Sequence, residues 1–128
     1  MWLHYRVNVW PIARAIVASR LHNKFDSPLL LEGSAILPEL VNEISGVEVS
    51  SLWLVAPKNL LSVRIRRVSS YETRLESERS LIDTFIRRAV GFDEQLRVSL
   101  ADTGLQSNQV SQGVSADQLA ETVRNKVF

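Results

Sequence analysis

Apolar residues recur at helical spacing in four stretches. Leu37, Leu40, Val41 and Ile44 stand at i, i+3, i+4 and i+7, one buried helical stripe. Ser34 suits its N-cap, Pro38 its first turn and Gly46 its stop. Thr73 to Val90 is the strongest predicted helix, with Leu75, Ile82, Phe85, Ile86 and Ala89 on its apolar side and Gly91 as its end. Arg87 and Arg88 stand in its last turn, where the helix dipole favours them. Ser115 to Gln118 reads as a capping box opening a last helix through Leu119 and Val123. Near the start, Pro11 opens a shorter helix over Ile12 to Leu21.

Elsewhere the pattern alternates. Leu3 to Trp10 and the apolar run Pro28 to Leu31 read as short strands. Val47 to Val55 and Leu60 to Val68 alternate on either side of the turn cluster Ala56-Pro57-Lys58-Asn59 and predict a hairpin. Leu96, Val98 and Leu100 predict a final strand, and Asp102 to Gly113 a polar loop. From Pro28 to Ala101 the predicted order is therefore βαββαβ. The expected fold is α+β, a ferredoxin-like split βαβ: a four-stranded antiparallel sheet with two helices on one face. The expected organisation is a basic strand/helix arm at 1–24, the core at 25–101, the loop at 102–114 and a C-terminal helix at 115–128.

The chain has 128 residues, 45% of them apolar and 23% charged, which suits a single globular domain with its own core. It has no cysteine, so disulfides, thiolate metal sites and cysteine nucleophiles drop out. That fits a cytoplasmic, reducing compartment. The formal net charge is +1, so no global field draws it to nucleic acid or acidic lipid. No apolar run approaches the ~18 residues that span a bilayer. Charge is nonetheless uneven: residues 1–25 carry Arg6, Arg14, Arg20 and Lys24 but no acid. Such a segment is read as a strand and helix packed on the domain, as a docking arm, or as a mitochondrial transit peptide, which would place the chain in the matrix.

Catalytic chemistry is hard to find. No Gly-rich phosphate loop is present, His4 and His22 have no metal-ligand spacing, and the sequence calls for no cofactor and no metal. Glu72, Glu76 and Glu78 lie on a charged helix face with Arg74 and Arg79 as local partners. Ser50-Ser51 and Ser69-Ser70 have no local base. Arg64, Arg66 and Arg67 form the one basic cluster. On a strand, Arg64 and Arg66 would share a face, as an RNA- or phosphate-binding sheet requires, though no aromatic residue accompanies them.

Several short segments, in order, resemble the C-terminal region of adenylate-forming enzymes of the phenylacetate–CoA ligase type. His4-Tyr5-Arg6-Val7-Asn8-Val9 resembles the Tyr-Arg-x-Gly-Asp segment. Lys24-Phe25-Asp26-Ser27-Pro28-Leu29 resembles the hinge, with Asp26 at its acid. Glu32 to Pro38 resembles the turn into the first small-domain helix, and Ile44-Ser45-Gly46-Val47 the entry to the next strand. The family's Gly-Asp reads Asn8-Val9 here, the hinge arginine falls at Asn23 or Lys24, and the late Gly-Lys reads Gly113-Val114. The resemblance thus implies a detached small domain that makes no acyl-adenylate by itself and acts in trans.

The expected function is a non-catalytic interaction or structural module within a larger assembly. The alternatives are the in-trans small domain and an RNA- or phosphate-binding module. The expected partners are proteins or further copies of the chain, with contacts through Arg6, Arg14, Arg20, Lys24, Arg64 and Arg66.

Overall fold

A computed structural model of the chain describes residues 1–22, 27–44 and 49–127. The N-terminal rod comprises α1 (Trp2–His4), a π-helical stretch (Tyr5–Val9) and α2 (Trp10–His22). The π stretch sets which side of the rod is buried. Trp10 N–H bonds to Tyr5 O, a five-residue step. In an α-helix five residues would rotate a side chain about 140° away from the first. The wider π turn keeps both on one side. Trp2, Tyr5, Trp10 and Ala13 accordingly pack in one cluster with Ile36, Leu37, Leu40, Ile44 and Phe92.

α3 (Pro38–Val41) is a single turn with proline at its start, and Pro38, Leu40 and the N-cap Leu37 are fully enclosed. Of the predicted stripe only Leu40 and Val41 lie on the helix; Leu37 is its extended N-cap and Ile44 follows its end. Its expected stop, Gly46, lies outside the described residues, as do Asn23, Lys24, Asp26 and Val47.

The rest is one βααβ unit. β1 (Trp53–Val55) leads into α4 (Lys58–Val68), a 3₁₀ turn (Tyr71–Thr73), α5 (Glu76–Thr103) and β2 (Ser107–Gln109), followed by α6 (Ala116–Val127). β1 and β2 pair in parallel, Trp53 opposite Ser107 and Val55 opposite Gln109. Parallel neighbours need a long crossover; α4 and α5, which pack on each other, provide it. Val55, Leu96 and Leu100 form a second cluster with Trp53 and Leu105, and Trp2 and Phe92 belong to both clusters.

The ferredoxin-like α+β expectation is overturned. Helices hold 66% of the described residues, which contain a two-stranded parallel sheet rather than a four-stranded antiparallel one. The predicted hairpin fails because Leu60–Val68 is helical. Leucine, lysine and arginine are good helix formers, and Leu60, Leu61 and Ile65 fall on the better-buried side while Val63 and Val68 stay exposed. The predicted last strand fails because Leu96 and Leu100 continue a four-residue spacing from Phe92. A step of four satisfies both alternation and a helix. Gly91 does not stop α5, and Arg87 and Arg88 lie mid-helix. Leu3 to Trp10 is helical, and Pro28 to Leu31 is irregular with no strand partner. In the polar segment 102–114, Gly104 ends α5 in the left-handed conformation (φ 68°), and β2 follows. The C-terminal capping box forms as read: Ser115 N–H donates to Gln118 Oε1 at 2.9 Å, and Gln118 N–H to Ser115 Oγ at 3.2 Å.

Candidate interaction surface

Two indoles fix the rod to the turn at α3. Trp2 Nε1 donates to Glu39 Oε1, and Trp10 Nε1 donates to Glu43 Oε2 at 3.1 Å. Glu39 also accepts from Ser99 Oγ, which ties α5 to the same point. The two glutamates are four residues apart and so lie on one side of their short segment.

Glu43 also collects two of the expected contact residues. Arg6 approaches it to 3.8 Å and Arg14 to 3.9 Å. With Trp10, Pro11 and Leu40 these three line an open cavity of about 440 Å³. Two guanidinium groups against one carboxylate leave the cavity with a net positive charge. All three side chains are well exposed, so each pair contributes only about 0–1 kcal/mol to stability.

The other expected contacts do not join this group. Arg20 donates to Ser27 O and, at 2.6 Å, to Ser27 Oγ. Lys24 lies outside the described residues. Arg64 and Arg66 sit on α4, where a two-residue step turns them about 200° apart. The shared basic strand face therefore does not exist. Arg64 is exposed, whereas Arg66 pairs with Asp83 at 3.0 Å and stacks on the Tyr71 ring at 4.7 Å.

Asp93 and Arg97 work at the carboxyl end of β1. Asp93 Oδ1 accepts the Ala56 N–H at 3.1 Å, Arg97 Nε donates to Asp93 Oδ2 at 2.7 Å, and Arg97 also donates to Ala56 O at 3.1 Å. The clamp borders a second cavity of about 320 Å³ whose lining includes Lys58, Leu61 and Gln109. Both charges of the clamp are spent on each other and on the backbone.

What the sequence reading missed is the apolar exterior of the rod. Leu3 and Val7 are exposed, as are Ile12 (62%), Ile16 (45%) and Leu21. Leu3 with Val7, and Ile12 with Ile16, are four-residue pairs, so each makes a local apolar ridge. α2 buries only Trp10 and Ala13. A helix apolar on all sides normally belongs in an interior. The available signal was the absence of a polar face between Pro11 and Leu21, where only Arg14, Ser19 and Arg20 are polar.

Among the described residues no three histidine, aspartate or glutamate side chains gather to hold a metal ion, and no helix is long and apolar enough to cross a membrane. No protein-family model, curated protein or solved structure matches the chain.

Proposed function

We propose that the chain is a protein-interaction module, a non-catalytic part of a larger assembly, which docks through the outer face of its N-terminal rod. The apolar circumference of α2 carries this reading. Ile12 and Ile16 face solvent on a helix that buries only Trp10 and Ala13, and contiguous apolar exposure of this kind marks association surfaces. The Arg6–Arg14–Glu43 cluster stands on the α3 side of the rod, with Arg14 a two-residue step, about 200°, from both Ile12 and Ile16, so the docking surface itself is apolar and favours a partner with an apolar patch. The RNA- or phosphate-binding alternative loses the shared face of Arg64 and Arg66, which diverge on a helix, and keeps the N-terminal basic residues, of which Arg6 and Arg14 converge on Glu43. The resemblance to adenylate-forming enzymes adds one partner to try, a separate large subunit. The cysteine-free composition fits assembly in the cytoplasm or the mitochondrial matrix.

The test is capture of the tagged chain from its own cells, beside an Ile12→Lys, Ile16→Lys variant of equal thermal stability. A fixed set of partners retained by the parent chain and lost by the variant is expected. Recovery of the parent chain alone, as a monomer, overturns the reading.

A further inference from the structure

We propose that the free edge of β1 accepts an extended apolar segment of a partner polypeptide as a third strand parallel to β1, an inference that rests on the interaction-module reading and names one partner's chemistry.

The hydrogen-bond ladder identifies the edge. Trp53 N–H donates to Gln106 O, and Val55 O accepts from Val110 N–H. In a parallel pair alternate residues of a strand face the same neighbour. Trp53 and Val55 therefore face β2, and Leu54 directs its N–H and C=O to the opposite side. Leu54 is 45% exposed.

The two strands differ in the way that separates interior from edge strands. β2 reads Ser107-Asn108-Gln109, short and polar, as natural edges are. β1 lies in Leu52-Trp53-Leu54-Val55, a continuous apolar run. Such runs belong to parallel strands covered on both faces and paired on both sides. β1 thus has an interior strand's sequence and, among the described residues, an edge strand's position.

A second run points the same way. Leu29 to Leu31 has a strand's composition but no strand partner, and Leu30 is 75% exposed. Ile36, five residues later, is held to β1 by Trp53 Nε1, which donates to Ile36 O at 3.1 Å. Gly33 to Ile36 is a turn, closed by Ile36 N–H donating to Gly33 O at 3.2 Å, so this stretch spans at most roughly 14 Å. An inserted strand needs its two neighbours only about 10 Å apart. Leu29 to Leu31 is therefore within reach of the far side of a strand seated on β1. A second copy fits less well. Twofold symmetry would pair β1 with β1 antiparallel, against the direction already set by β2, and would leave Leu29 to Leu31 unpaired.

The experiment follows amide exchange in the full-length ¹⁵N-labelled chain on addition of three synthetic peptides. One is an alternating valine–isoleucine pentamer flanked by lysines, one carries proline at its centre, and one is an alanine-rich helix former. The valine–isoleucine peptide is expected to slow exchange of the Leu54 amide at least tenfold and to shift the Leu29–Leu31 amides, while the other two do neither. Leu54→Pro removes the N–H and is expected to abolish the shift of the Leu29–Leu31 amides. Leu54→Lys keeps the N–H and is expected to weaken peptide binding at least tenfold, so the edge stays testable if the proline variant does not fold. Unchanged Leu54 exchange at the highest peptide concentration overturns the proposal, as does equal protection by the proline peptide. Protection in the chain alone that grows with its own concentration also overturns it, in favour of a second copy. A stoichiometric assembly captured through Ile12 and Ile16 with the Leu54 amide still open would retain the module and remove the strand.

Discussion

The Tyr71 hydroxyl donates a 2.8 Å hydrogen bond to Asp83 Oδ2, joining the turn after α4 to the body of α5. Arg66 bonds the other carboxylate oxygen at 3.0 Å, and both Arg66 and Arg79 lie over the tyrosine ring. The hydrogen bond from Tyr71, with help from Arg66, holds the Asp83 carboxyl below its ordinary value of 3.8. The same bond to Asp83 raises the Tyr71 phenol above its ordinary 10.0. A depressed carboxyl stabilises the fold above its unfolded value and loses that contribution as pH falls through the folded one. A raised phenol stabilises the fold below 10.0 and loses that contribution as pH climbs past it. The thermal midpoint is expected to fall on both flanks, below about pH 4 and above about pH 10. Asp83→Asn should flatten the acid flank, and Tyr71→Phe should reduce both. An acid flank identical in Asp83→Asn and the parent chain would remove the pair from this account.

Asp93 holds the end of β1 to α5 through the Ala56 N–H and Arg97. Asp93→Ala leaves a part-buried backbone donor and a guanidinium without their acceptor, a loss of about 1–3 kcal/mol. Urea unfolding should show it as a lower midpoint with an unchanged slope. Arg97→Lys should recover only part, because a lysine cannot reproduce the fork between Asp93 and the Ala56 carbonyl.

Leu37 and Leu40 are fully enclosed where the rod meets α3. Leu40→Ala should cost about 2–5 kcal/mol, the range for an enclosed leucine that leaves a cavity. The same change at exposed Leu3 should cost little in stability. Equal losses at the two sites, measured by urea unfolding, would mean that the rod's outer face is covered in the isolated chain.

Two glycines of α5 should respond in opposite directions. Gly91 lies within the helix, and a Cβ there would meet nothing within 4 Å. Gly91→Ala should therefore stabilise by about 0.4–1 kcal/mol by narrowing the unfolded ensemble. Gly104 caps the helix at φ 68°, a conformation that L residues avoid. Gly104→Ala should destabilise, by roughly 1 kcal/mol. Calorimetry on the pair checks both signs.

The sequence made some elements legible for physical reasons and hid others for equally physical ones. The capping box at Ser115 and Gln118 was readable because its two bonds lie within four residues. The body of α5 was readable because Ile82, Phe85, Ile86 and Ala89 repeat only at helical spacing. Leu96 to Leu100 was ambiguous because its period fits helix and strand alike. β2 was invisible: its strand character comes from main-chain bonds to a segment about fifty residues earlier, and Ser107-Asn108-Gln109 carries no apolar signal. Of the expected contact residues, Arg6 and Arg14 do converge, but on Glu43, an acid that only the tertiary fold brings to them. The outward ridge of Ile12 and Ile16 was hidden because an amphipathic reading assigns every apolar helix residue to the core.

The parallel register of β1 and β2 also constrains the order in which the chain can fold. Trp53 and Ser107 are paired across 54 positions, and joining a flexible segment of that length costs about 3.5 kcal/mol in chain entropy alone. Prior formation of the α4–α5 hairpin, whose contacts are local, shortens that search. The hairpin should therefore assemble early. The strand pair, together with the packing of Leu96, Leu100 and Val55 beneath it, should close late and be the first part to open.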